Sequence, residues 1–204
     1  MVLKIERKGQ KMKDKTKGIS EVYLVLMAAL GEKYGRPSGS YFLVAKRSGK
    51  YRKNNKISRT KEGLYIHHVG EYTVPLLSNV TVAEKLPFGY QEPDMLVYCD
   101  AIEHLLAHVL IVEALGDDGG ANMMPGAGVG GVSMLVAKLN DWFGEHPPIE
   151  TNWERFAWEK IKRRETEYKK LLARAQRAYD KLDIDRDLSK VSERELWLAR
   201  QNIN

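Results

Sequence analysis

Residues 100–116, DAIEHLLAHVLIVEALG, decide how the chain is read. Asp100 stands at the position of a helix N-cap and Glu103 follows three residues later. That is the pattern of a capping box, in which two side chains satisfy backbone N–H groups that the first helical turn leaves unpaired. Gly116 supplies a stop. Between these signals the segment is apolar on nearly every face, which predicts a buried helix and not a surface one. Yet it carries His104 and His108, one turn apart on one face. Two buried imidazoles without partners lose several kcal/mol of hydrogen bonding. A shared metal ion is one way to satisfy both.

Working outward toward the N-terminus, MLVYC (95–99) reads as a short strand and GLYIHHV (63–69) as another. Side chains alternate along a strand, so His67 and His68 face opposite ways and cannot easily share a task. One ring can face a metal held by the helix while its neighbour faces a substrate. The plainer alternative is a core histidine beside a surface one. SEVYLVLMAALGEKYG (20–35) predicts a helix, with Ser20 as N-cap and Gly35 as stop. GSYFLVAKR (39–47) predicts a strand, followed by a basic loop with a turn at KNNK (53–56). Residues 70–93 are irregular, with Pro75, Pro87 and Pro93 limiting regular structure.

On the C-terminal side, GDDGGANMMPGAGVGG (116–131) reads as a flexible glycine-rich connection. GAGVGG is no nucleotide loop, since neither Lys-Ser nor Lys-Thr follows. VSMLVAKLNDWF (132–143) predicts a helix, then one long charged helix runs from about Trp153 to Leu182, with a last one near SERELWLARQ (192–201). DIDRD (183–187) lacks the glycine and the final glutamate of a calcium loop. The expected organisation is a basic arm over residues 1–18, a core over 19–116, a linker over 117–131 and a helical tail over 132–204. The fold class is α+β.

Charge and composition bound the function. The net charge is +6, which favours an anionic partner. The run KRSGKYRKNNKISRTK (46–61) holds eight Lys or Arg and no acid. It leads straight into the histidine strand, so Lys56, Arg59 and Lys61 are candidates for phosphate contact. The single Cys99 excludes an internal disulfide and a four-cysteine zinc site. No apolar run spans a bilayer and no signal peptide leads the chain. A cytoplasmic setting is the expectation.

Taken in order, HH (67–68), DMLVYC (94–99) and HLLAH (104–108) resemble the HNH nucleases of the ββα-metal, or His-Me finger, group. The resemblance covers about residues 64–112. It implies a small ββα-metal core of antiparallel strands and one metal-binding helix, embedded in a mostly helical chain. It also implies metal-dependent hydrolysis of DNA phosphodiesters. On it, His67, His104 and His108 are the metal ligands and His68 is the general base. Asp94 falls where the family has the asparagine that fixes the base-bearing loop, and Asn79 is a second candidate for that role. Apart from the resemblance, Glu71, just past the histidine pair, is a further ligand, a partner of one, or equally a solvent-exposed residue. One divalent ion is implied: imidazoles suit Zn²⁺, Ni²⁺ or Mn²⁺, whereas the family commonly uses Mg²⁺.

The expected partner is DNA, with RNA open, no membrane, and a homodimer through the helical tail as a further option. Two other functions fit the same residues. One is a non-catalytic nucleic-acid-binding protein with a structural metal. The other is a protein-binding inhibitor or assembly factor.

Overall fold

The helix at the centre is buried because three different surfaces pack around it. In the computed structural model, which describes residues 19–45, 47–58, 60–117, 123–124, 126–144 and 147–201, seven α-helices and two small two-stranded antiparallel sheets form a mixed α+β fold. Helix α1 (Glu21–Tyr34) is followed by β1 (Phe42–Val44) and β2 (Tyr51–Lys53), then by β3 (Tyr65–His68), the short α2 (Val80–Ala83) and β4 (Leu96–Cys99). The central helix α3 (Ala101–Asp117) comes next. After it run α4 (Val129–Trp142), α5 (Asn152–Ile161), α6 (Glu165–Lys181) and α7 (Glu193–Gln201).

Strands β3 and β4 pair antiparallel, with His67 opposite Val97 and His68 opposite Leu96. The chain turns from β4 directly into α3, so the two strands and the helix form one ββα unit. Its start is the capping box expected from sequence. Asp100 Oδ1 accepts from the N–H groups of Ile102 and Glu103, both at 2.9 Å, and Glu103 Oε2 accepts from the Asp100 N–H at 2.9 Å.

Three stripes of α3 then go to three neighbours. Ile102, Leu105, Val109 and Val112 face the helical layer of α4, α5 and α6, where Trp142, Ile161 and Tyr179 are fully buried. Ala107 and Ile111 face the other way, onto Val97, Cys99 and the Tyr23–Met27 face of α1. His104 and His108 occupy the stripe between. A third apolar cluster, of Tyr41, Phe42, Ile57, Ala83 and Leu96, seats the β1–β2 hairpin on the back of β4. That hairpin was unexpected at Tyr51–Lys53, read from sequence as loop. It pairs Phe42 with Lys53 and Val44 with Tyr51.

The long charged helix expected over 153–182 is two helices. No glycine or proline marks the break. It falls where Arg164 leaves helical geometry (φ −109°, ψ 24°) to pair with Asp100 and to form two bonds to Glu167. A tertiary contact to the start of α3 sets this boundary, and local propensity does not reveal it. Helix α4 begins at Val129, inside the stretch expected as linker. The basic arm of residues 1–18 and Arg59 lie outside the described residues.

Asp100 therefore does two jobs, capping α3 and anchoring the α5–α6 corner. Asp100→Ala removes both and is expected to lower the unfolding free energy by more than about 2 kcal/mol. Asp100→Asn keeps the cap and loses less. Urea denaturation of the two variants beside the parent checks the ranking, and equal losses would contradict it.

Candidate metal centre and cleft

Strand alternation sends the two adjacent histidines to different places. His67, fully buried, points to α3, where its ring centroid lies 5.1 Å from that of His104 and 4.9 Å from that of His108. The two α3 rings are 5.0 Å apart. Donor nitrogens from all three lie within 4.8 Å of one another, and among the described residues no other group of three His, Cys, Asp or Glu does this. Nδ1 of each of the three rings is buried without a hydrogen-bond partner. A buried polar atom left unpaired costs about 1–3 kcal/mol, and these three lie on adjoining rings.

Glu71 completes the ring. It lies in the 3-10 turn that follows β3, is almost wholly buried, and places Oε2 3.5 Å from His108 Nε2 and 3.8 Å from His67 Nδ1. Two donors on a four-coordinate ion with bonds of about 2.1 Å stand about 3.4 Å apart, so the His108 separation is close to that across an ion and the His67 separation is longer. Three imidazoles and one carboxylate fit Zn²⁺, Ni²⁺ or Mn²⁺ better than Mg²⁺, which favours oxygen.

Electrostatics agree with the packing. Burial holds the pKa of His67 and His104 well below the ordinary 6.5, with the neighbouring imidazoles pushing the same way. Burial alone takes His108 down to about 4. All three are thus neutral, the state in which imidazole binds a metal. Burial also raises Glu71 to about 7.

The connection after α3 is packed against this centre. A Cβ on Gly131 would lie 2.3 Å from Cε1 and Nδ1 of His108. Gly128, at φ 76°, caps α4, and a Cβ there would lie 2.9 Å from the His108 carbonyl oxygen. These glycines let α4 start early and close on the histidine face of α3. Ala127 between them is fully buried.

His68 faces the opposite side of β3. Its ring stacks edge-on to Tyr41 at 4.5 Å, and its Nε2 lies 3.1 Å from Gln91 Oε1, while the Gln91 amide donates to the Leu77 carbonyl at 3.1 Å. With the amide so oriented, His68 Nε2–H donates and Nδ1 carries the lone pair. Burial outweighs the Gln91 bond and takes His68 down to about 4.

Although the rings point apart, the β-sheet edge brings both sides to one cleft of about 640 Å³, lined by His68, Glu71, His104 and His108 together with Lys53 and Trp153. Lys53 caps the Tyr41 ring at 5.1 Å and makes no ion pair among the described residues. Lys138, also on the wall, is neutralised by Glu154 at 2.9 Å and Glu193 at 3.8 Å. A second hollow of about 880 Å³ lies by Asp180, Asp183 and Asp187, away from the histidines, and its carboxylates do not converge on one point.

The other residues singled out from sequence lie elsewhere. Asp94 sits in a 3-10 turn, where its backbone carbonyl accepts from Arg36 at 2.9 Å; it does not line the cleft, and Gln91 is the residue that orients His68. Asn79 caps α2, accepting from the N–H groups of Thr81 and Val82. Lys56 and Lys61 are exposed in the loops between β2 and β3, outside the cleft lining. The residues that sequence reasoning passed over are Gln91, Lys53, Gly131 and Tyr23, whose hydroxyl lies 2.6 Å from His67 Nε2. Only Lys53, inside the acid-free basic run, carried a local signal.

No family model matches the chain, and no match to it was found among curated proteins or solved structures.

Two outcomes follow from this geometry. Alanine in place of a helical glycine ordinarily stabilises by about 1 kcal/mol, as expected for Gly130→Ala, where nothing lies within 4 Å. Gly131→Ala is expected to displace the His108 ring and weaken Zn²⁺ binding at least tenfold, as read by competition with a chromophoric chelator. Equal affinity in both variants would contradict the packing.

Stability of the metal-free protein should depend on pH. The folded pKa of each of the four histidines is depressed, so their contribution is present above pH 6.5 and is lost as pH falls toward 4. Glu71 is raised from 4.5 to about 7 and opposes this, stabilising as pH falls through that window. Four groups outweigh one. The thermal midpoint should drop steadily below pH 6.5, and a flat profile from 7.5 to 4.5 would contradict the burial of neutral imidazoles.

Proposed function

We propose that this chain is a metal-dependent phosphodiesterase acting on nucleic acid, with DNA as the first substrate to test. One observation carries the reading: His68 and the His104–His108–Glu71 face border the same cleft, so a base and a metal centre address one substrate-sized space. The resemblance of HH, DMLVYC and HLLAH to the HNH nucleases supports the same assignment.

His67, His104 and His108 hold the ion, with Glu71 beside them. A divalent cation supplies charge stabilisation for the phosphate and the leaving oxygen. His68 serves as general base through Nδ1. Gln91 holds the proton on Nε2, and burial keeps the ring neutral near pH 7 with its Nδ1 lone pair unprotonated, while the same burial, at a pKa of about 4, makes it a weaker base than an ordinary histidine. Lys53, with no carboxylate partner among the described residues, offers its ammonium to a phosphate oxygen at the cleft wall. The hairpin beyond it exposes Arg47, Lys50 and Arg52, a surface suited to a polyanion.

A second reading draws on Glu71. If all four donors bind one tetrahedral ion, no position stays open, and closed sites of this kind are structural. The protein would then bind nucleic acid with a metal stapling the ββα unit and no hydrolysis. Hydrolysis would instead require that one of these positions be left to the substrate.

The test is incubation of the purified protein with supercoiled plasmid in Mg²⁺, Mn²⁺, Zn²⁺ or Ni²⁺. Nicking or linearisation is expected with at least one ion. His68→Ala is expected to lower the rate about 10²–10⁴-fold while the protein still binds one ion per chain. Salt-dependent plasmid retention with no cleavage under any ion would favour the structural-metal reading instead.

A further inference from the structure

Tyr23 is fully buried on α1 and reaches across 44 residues of sequence to touch His67, with its Oη 2.6 Å from the ring Nε2. The same oxygen lies 3.2 Å from the Val69 carbonyl oxygen. A carbonyl can only accept, and a neutral phenol has one proton to donate. If that proton goes to Val69, Nε2 of His67 must be the donor to Tyr23. The order His67 Nε2–H to Tyr23 O–H to Val69 C=O satisfies every atom in the chain. The opposite tautomer would put a proton on Nδ1, which has no hydrogen-bond partner and lies 3.8 Å from Glu71 Oε2, beyond hydrogen-bond reach. It would also leave Nε2 and the carbonyl competing for one phenolic proton.

From this we infer that Tyr23 is a positioning residue that locks His67 in the Nε2–H tautomer, so that the Nδ1 lone pair is aimed at the centre formed with His104, His108 and Glu71. The inference rests on the metal reading for its purpose, but the tautomer itself is a property of the protein without metal. Partners of this kind fix ring orientation and raise ligand basicity, and their loss typically weakens metal binding 10–100-fold. The rings of Tyr23 and His67 also meet edge-on at 5.9 Å, and Tyr72 packs against Tyr23 at 5.2 Å. Phenylalanine therefore retains the aromatic packing and deletes only the hydroxyl.

Long-range ¹H–¹⁵N correlation spectra of the histidine rings in the metal-free, full-length protein provide the test. His67 is expected as the Nε2–H tautomer, and Tyr23→Phe is expected to shift it wholly or partly to Nδ1–H. The same variant is expected to bind Zn²⁺ or Co²⁺ 10–100-fold more weakly with the fold intact. Finding His67 as Nδ1–H in the parent protein overturns the inference without any variant. An unchanged tautomer and a metal affinity within twofold in Tyr23→Phe also overturns it. A tautomer that switches in a protein that binds no metal supports the lock and removes the metal reading, so the two failures are told apart.

Discussion

The architecture depends on three imidazoles, each with one buried nitrogen left unpaired. Every other feature of the centre serves to keep them there. Strand β3 delivers His67, one turn of α3 delivers His104 and His108, and α1 and α4 seal the sides with Tyr23 and Gly131. In a protein interior such unpaired donors and acceptors are a net cost of about 1–3 kcal/mol each. The apolar contacts of α3 on two sides offset that cost, and a bound cation would convert it into a gain.

The division of labour between His67 and His68 follows from strand geometry alone. Adjacent residues on a strand cannot share an environment, and here one ring enters the three-histidine cluster while the other meets Tyr41 and Gln91. Each has its own hydrogen-bond partner at Nε2: Tyr23 for the first, Gln91 for the second. Both rings are therefore left with Nδ1 as the lone-pair nitrogen. In one case that nitrogen faces Glu71, and in the other its ring borders the cleft.

Much of this was legible from residue patterns, and the rest was not for identifiable reasons. The capping box at Asp100 and the i, i+4 histidines are local signals, so the start of α3 and one edge of the site could be read directly. Strand period placed His67 and His68 on opposite faces. Gln91 and Tyr23 escaped because their roles arise from contacts 23 and 44 residues away, and neither residue type announces such a role. Asp94 drew attention by its position beside β4, yet a 3-10 turn carries it away from the cleft. The break at Arg164 is likewise invisible locally, since the partner that causes it is Asp100. Glycines 126–131 suggest slack by composition, whereas Gly131 is the residue whose missing Cβ lets His108 fit.

Stoichiometric metal binding tests the centre most directly. After chelator treatment, dialysis against Zn²⁺, Ni²⁺, Mn²⁺ or Co²⁺ and elemental analysis should find one ion per chain. An ion at a thousandfold excess over its dissociation constant stabilises by about 4 kcal/mol, which should raise the thermal midpoint by on the order of 10 °C. No bound ion and an unmoved midpoint with all four metals would contradict the account.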